Sequence, residues 1–217
     1  MGTLDYKEHY KRSLPHFQPQ NATFFVTFRL FGSIPREVIE QCREERVLME
    51  RQRDQLPDGP ERECLEKQIE RLSFVRYETA LNISKRGPMW LKEAAVAEMT
   101  VASLMHRDGS TWELDAFCVM PNHVHLVFRP LKSTSGGDTA LPKIMQSLKG
   151  YTAAAANKIL GRTGLFWEHE SYDRVIRDED EWKRIVRYVL NNPVKAGLVD
   201  EWRKWRWSYF RLGNVEF

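Results

Sequence analysis

Residues 123–129 read HVHLVFR, two imidazoles either side of a valine in a stretch of β-branched and aromatic residues. Successive strand side chains point to opposite faces, so His123 and His125 emerge together while Val124 and Leu126 face the other way. Imidazoles two apart on one strand face can converge on a metal ion, or they can sit hydrogen-bonded at a sheet surface. The pair alone leaves both options open. The bulky residues before and after it describe a covered central strand, where unpaired imidazoles are costly, and this favours a functional pair with a third ligand elsewhere.

The stretch DEDEWKRIVRYVLNNP supplies that candidate. Asp178 is a good N-cap with Glu181 three residues on, and Pro193 is expected just past the helix end. Trp182, Ile185, Val186, Val189 and Leu190 recur at helical spacing and define the core face. At about 100° per residue, Tyr188 lies roughly 130° from the centre of that stripe and Asn192 roughly 90°. Packing does not require either, and their spacing of four lets a phenol and an amide address one point in space. Asn192 also reads as an ordinary helix-terminal residue before proline. Tyr151 falls at the edge of its own helix's apolar stripe, beside Leu148 and Ala155, and is expected to pack. Tyr172, in a short extended stretch, suits packing or base stacking better than chemistry.

These residues need a scaffold. TFFVTFRLF (23–31) reads as a first buried strand ended by Gly32 and Pro35. Residues 36–84 are charged and broken by LPDGP, which predicts an inserted helical hairpin with a thin apolar stripe of Val38, Cys42, Leu65, Ile69 and Leu72. A helix is expected from Pro88 to the HRDG stop at 106–109. TWELDAFCVM and NHVHLVFRP follow as an antiparallel pair joined at Pro121, then the polar loop LKSTSGGDTA. The helix of LPKIMQSLKGYTAAAANKIL has a stripe at helical period at 141, 144, 145, 148, 152, 155 and 159, apolar but for Thr152. This order predicts an α+β fold, an antiparallel sheet with helices on one face, over a single domain spanning 1–217 with the insertion at about 36–84.

Composition narrows the class of partner. The 217 residues are 42% hydrophobic and 29% charged with net charge +3, ordinary for a globular protein and permissive for nucleic acid without demanding it. Cys42, Cys64 and Cys118 are odd in number and far apart, which supports neither a disulfide framework nor a thiolate zinc site and fits a reduced, cytoplasmic compartment. The charged N-terminal stretch lacks a secretory signal's apolar run, and no window approaches a membrane span. Lys149, Arg162, Arg174, Arg177, Arg184, Arg187 and Lys195 are available for phosphates, and each is equally readable as a solvated charge. Trp202, Trp205 and Trp207 in WRKWRWSYFR could stack bases or close the core.

VMPNHVHLVF, then LGRTGLFWEHESYDRVIRDEDEW, then RYVLNNPVKAGLV together resemble the REP-associated tyrosine transposases, single-tyrosine members of the HUH single-strand DNA nucleases. The resemblance runs from TFFVTFRL to WRWSYF. It implies a ferredoxin-like core, metal ligands at His123, His125 and Asn192, and a nucleophile at Tyr188. It further implies a divalent ion, Mg2+ or Mn2+, and a single-stranded or hairpin DNA substrate, nicked and transferred through a 5′-phosphotyrosine. A self-contained monomer is expected over a helix-swapped dimer. The alternative is a non-catalytic DNA-hairpin-binding protein derived from a transposase. The long 36–84 segment departs from a compact version of the family.

Overall fold

The computed structural model describes residues 9–11, 15–17, 21–83, 87–132 and 140–211. Most of the charged N-terminal stretch, the polar loop before residue 140 and the expected insertion boundary at Ser84 fall outside them. The chain divides into two compact units, Met1–Phe31 with Met89–Phe217, and Gly32–Pro88.

In the larger unit, β1 (His9–Lys11) and β2 (Pro15–Phe17) form a small antiparallel hairpin. The main sheet begins with β3 (Thr23–Arg29), whose alternation TFFVTFR sends Phe24, Val26 and Phe28 to one face and Phe25, Thr27 and Arg29 to the other. The smaller unit is the expected helical hairpin, α1 (Arg36–Asp54) and α2 (Pro60–Ile83). Its helices run antiparallel, as shown by Arg53 opposite Glu66 at 3.5 Å and Arg76 paired with Glu45. No residue of α1 is buried; Val38, Cys42, Leu65 and Leu72 are half-buried and Ile69 fully so.

The helix expected from Pro88 starts later. Trp90–Lys92 form a single 3₁₀ turn, Glu93 is extended at ψ 117°, and only then does α3 (Ala94–His106) begin. β4 (Trp112–Val119) and β5 (His123–Pro130) form the expected antiparallel pair, closed by the Met120 N–H donating to the His123 carbonyl at 2.8 Å. A bulge between Leu114 and Ala116 sets Asp115 out of register. α4 (Leu141–Ile159) follows. Its buried stripe ends at Ala156, whereas Ile159 is 45% exposed, so the helix is rotated slightly from the expected face.

β6 (Tyr172–Ile176), α5 (Glu179–Lys195) and β7 (Ser208–Phe210) complete the unit. The main sheet has order β6-β3-β5-β4-β7 with every pairing antiparallel, which puts the histidine strand in the middle. Phe24, Val26, Phe28, Val124, Leu126, Phe128, Trp112 and Leu114 form one core with residues of α3 and α4. Burial of such side chains stabilises by roughly 1.5–3 kcal/mol each. The expected α+β antiparallel sheet is present, but its helices are not confined to one face as expected: α3 and α4 pack on the face of Phe24, Val26 and Phe28, and the buried Phe25, Thr27, His123 and His125 on the opposite face need a cover of their own. α5 lies over the other face, where its Trp182 Nε1–H donates to Asp115 Oδ2 at 2.7 Å.

Two tryptophans of the C-terminal stretch pack against the sheet. Trp205 Nε1–H donates to the Val119 carbonyl at 3.0 Å, Trp207 packs on the core, and Tyr209 stacks on Phe117 at 5.5 Å.

Candidate metal and nucleophile site

α5 is started and stopped by local chemistry. Asp178 Oδ1 accepts from the Glu181 N–H at 2.7 Å, and Glu181 Oε2 accepts from the Arg177 N–H at 2.8 Å, a near relative of the capping box. The helix does not end before Pro193 as its sequence suggests; it continues through Pro193 to Lys195. Gly197, with φ +67°, then stops it in a Schellman arrangement: the Gly197 N–H donates to Val194 and the Leu198 N–H to Pro193, both at 2.9 Å. A proline so close to the helix end removes one interior hydrogen bond, and the closing bonds at Gly197 hold the last turn in place.

This geometry brings Tyr188 and Asn192 to the histidine face of the sheet. His123 and His125 are 1% and 0% exposed, and their Nε2 atoms lie 3.0 Å apart. Asn192 is 1% exposed, with Nδ2 2.9 Å from His125 Nε2. His125 faces Tyr188 at 5.5 Å between ring centroids and 69° between planes. Phe25 holds both rings: it stacks on His125 at 5.8 Å and meets Tyr188 edge-on at 6.1 Å. Lys195 Nζ lies 5.0 Å from the Tyr188 ring centroid.

The outward ring nitrogens are pinned. His125 Nδ1 is 2.9 Å from Thr27 Oγ1, its cross-strand partner, and His123 Nδ1 is 2.7 Å from Asn122 Oδ1. A carbonyl oxygen only accepts, so His123 Nδ1 carries the hydrogen and its Nε2 presents a lone pair. If His125 Nε2 accepts from the Asn192 amide, two lone pairs face each other across 3.0 Å. A cation between them relieves that opposition. The separation matches two adjacent ligands about 2.1 Å from one ion at a right angle.

Asn192 Oδ1 is also buried and finds no hydrogen-bond partner among the described residues. An orphaned acceptor beside two imidazole lone pairs fits the third position of a cation site. Burial drives both imidazoles toward the neutral form that ligates, lowering His123 to about 3; His125 is lowered well below its usual value, by burial and then by the neighbouring His123. Cys118 stands opposite His125 in the sheet, but burial pushes its thiol up to about 12, so it remains a protonated thiol.

The other candidate residues divide. Lys149 donates to the His169 carbonyl at 2.8 Å and to Ser171 Oγ at 3.3 Å. Arg162 lies 3.7 Å over the Trp90 ring and binds Asn157 Oδ1 and the Leu165 carbonyl, so it packs a loop. Arg174 pairs with the buried carboxylate of Glu181. Arg177, Arg184, Arg187 and Lys195 are exposed. Tyr151, expected to pack, is 58% exposed because Leu148 and Thr152 take the inward positions of α4; the Arg107 guanidinium lies 5.6 Å from its ring. Tyr172 sits edge-on to Phe25 at 6.3 Å.

Sequence reasoning passed over Thr27, Phe25 and Asn122. The signal for the first two was the alternation in TFFVTFR, which completes an apolar face and leaves Phe25, Thr27 and Arg29 together on the other.

An antiparallel sheet with two histidines on its central strand and a tyrosine and an asparagine on the helix that covers them defines an α+β fold of the HUH type. A solved REP-associated tyrosine transposase bound to a REP hairpin has a similar fold, with TM-score 0.50 and 15% identity over 92% of this chain and 80% of that one. The family model "Transposase IS200 like" matches residues 81–192, just over half of the chain, and the chain belongs to that family. The REP-associated tyrosine transposase of Escherichia coli K12 is 29% identical over 99 residues, 46% of this chain and 54% of that protein. The chain thus aligns with about half the length of this curated relative.

Proposed function

We propose that this protein nicks and rejoins single-stranded DNA at a hairpin, with Tyr188 as the nucleophile and His123, His125 and Asn192 as ligands of a divalent ion, Mg2+ or Mn2+. The observation that carries the reading is the meeting of two imidazole Nε2 atoms 3.0 Å apart with the Asn192 amide and the Tyr188 ring, all from one chain. A bound divalent ion would polarise the scissile phosphate and offset its charge. Two imidazoles and an amide oxygen suit Mn2+ at least as well as Mg2+.

The chain's own residues account for the remainder. Phe25 fixes the plane of His125 and the approach of Tyr188, while Thr27 and Asn122 hold the tautomers that leave Nε2 available. A phenol must lose its proton before it attacks, and the Lys195 ammonium, 5.0 Å from the Tyr188 ring centroid, is a cation at hand for the charge that then appears. The Tyr188 oxygen forms a bond to phosphorus as the bond to the 3′ oxygen breaks. This leaves a 5′-phosphotyrosine and a 3′ oxygen that takes up a proton. Attack by another 3′-OH on the phosphotyrosine reverses the step and restores the phenol, so joining needs no hydrolysis. Exposed Arg184, Arg187 and Lys195 line the same helix for phosphate contacts, in the cytoplasmic setting expected for DNA.

The test is a denaturing-gel assay of single-stranded hairpin DNA with Mg2+ or Mn2+, read as a covalent protein–DNA adduct. Tyr188→Phe is expected to abolish the adduct while hairpin binding survives, and Tyr151→Phe to leave both intact. Hairpin binding by the unaltered protein with no adduct would instead indicate a non-catalytic hairpin binder. Nicking that persists in Tyr188→Phe would point to water as the nucleophile.

A further inference from the structure

β3 places a charged side chain on the histidine face that the chemistry above leaves unused. Arg29 is 7% exposed and stands directly across from His123 in the β3–β5 register. Side chains at such paired positions have Cβ atoms about 4.5–5.5 Å apart. On its other flank, Leu30 bridges Trp167, and the Glu168 N–H donates to the Arg29 carbonyl at 2.9 Å. The Arg29 Nη1 lies 3.1 Å from Glu168 Oε1. Glu168, Arg29 and His123 therefore form one row across the sheet, next to the row of Tyr172, Thr27 and His125.

Stability alone does not explain this pair. A buried ion pair is commonly matched or exceeded by apolar side chains of similar volume, and β3 supplies such residues at Phe24, Val26 and Phe28. A guanidinium carries N–H donors in a planar fork that matches phosphate oxygens, and a low-dielectric surrounding strengthens its field. The carboxylate beside it fixes the direction of that fork.

We propose that Arg29 is a further catalytic residue, binding a non-bridging oxygen of the DNA phosphate under attack, and that Glu168 is its positioning residue; this rests on the strand-transfer reading above. As the Tyr188–phosphorus bond forms and the bond to the 3′ oxygen breaks, negative charge is shared over the equatorial oxygens. Arg29 donates hydrogen bonds to them and exchanges no proton.

The experiment compares the full-length protein with its Arg29→Gln, Arg29→Lys and Glu168→Gln variants in single-turnover adduct formation. The hairpin carries either a phosphate or an uncharged methylphosphonate at the position cleaved by the unaltered protein. Arg29→Gln is expected to slow the phosphate substrate on the order of 100-fold, with Mn2+ binding unchanged and the protein, though lowered in melting temperature, still folded at the assay temperature. Arg29→Lys recovers part of the rate, Glu168→Gln lowers the maximal single-turnover rate without raising the concentration needed to half-saturate it, and the methylphosphonate erases the Arg29→Gln defect. Equal rates on phosphate, or the same defect on methylphosphonate, overturn the assignment. If the unaltered protein forms no adduct, the strand-transfer reading fails separately. A titration of Tyr188→Phe protein with an eight-residue oligothymidylate then decides for Arg29. Arg29→Gln added to that background should weaken the phosphodiester about tenfold and leave the uniform methylphosphonate unaffected, and equal losses or none overturn the phosphate contact.

Discussion

The two faces of the central sheet are built from the same strands in alternate residues, yet they solve different problems. On the α3/α4 face, Phe24, Val26, Phe28, Val124, Leu126 and Phe128 pack without a polar atom among their side chains. On the α5 face, the intervening positions hold Thr27, Arg29, His123 and His125, all buried. Burying that much polarity is costly unless each group is paired, and the contacts to Asn122, Thr27, Asn192 and Glu168 pair them. One face supplies stability, and the other holds groups at fixed separations.

That contrast can be broken in graded steps. His125→Ala is expected to remove Mn2+ binding and to cut adduct formation on the order of 1,000-fold or more, with only a small drop in melting temperature. Retained calorimetric Mn2+ binding would remove His125 from the ligand set. Phe128→Ala, on the opposite face of the same strand, should destabilise by about 3–5 kcal/mol in urea titration while Mn2+ affinity at low temperature stays the same. If the stability and binding effects of these two changes exchange places, the division between faces is wrong.

A finer probe is Thr27→Val, which keeps the shape and deletes the contact to His125 Nδ1. It should weaken Mn2+ binding about 10–100-fold and leave the fold intact, whereas unchanged affinity would show that His125 needs no orienting partner. The smallest effect is a pH dependence of the metal-free protein. His123 and His125 hold protons less tightly in the fold than at the usual 6.5, His123 down to about 3. The unfolded chain therefore binds more protons between those values, so stability is full above pH 6.5 and declines as pH falls toward 3. The urea midpoint of the wild type should drop between pH 7 and pH 4.5 more than that of His123→Gln/His125→Gln. Parallel profiles would mean the imidazoles are not the groups responsible.

Much of this arrangement was legible in the chain because period and spacing carry it. HVH fixes two side chains on one strand face, and the i, i+4 spacing of Tyr188 and Asn192 fixes two on one helix flank, whatever the tertiary context. What joins them was less legible. Which sheet face α5 covers depends on contacts such as Trp182 to Asp115, 67 residues apart, and no local pattern encodes these. The late start of α3 and the continuation of α5 through Pro193 were misread for a related reason. Proline marks a helix boundary by default, but the surrounding turn decides which side of the boundary it takes. The surroundings of the basic residues were the least legible, since a charge on paper does not reveal that Arg162 lies on Trp90 or that Arg174 is held by Glu181.

The four-residue step between Tyr188 and Asn192 has a mechanical meaning. About 6 Å of helix axis separates Tyr188, the proposed nucleophile, from Asn192, the proposed ligand of the ion. Because a helix transmits displacement as a rigid rod, any shift of α5 would move Tyr188 and Asn192 as one. On the proposed reading the site would work as a latch with two teeth on one bar, closed on both or open on both.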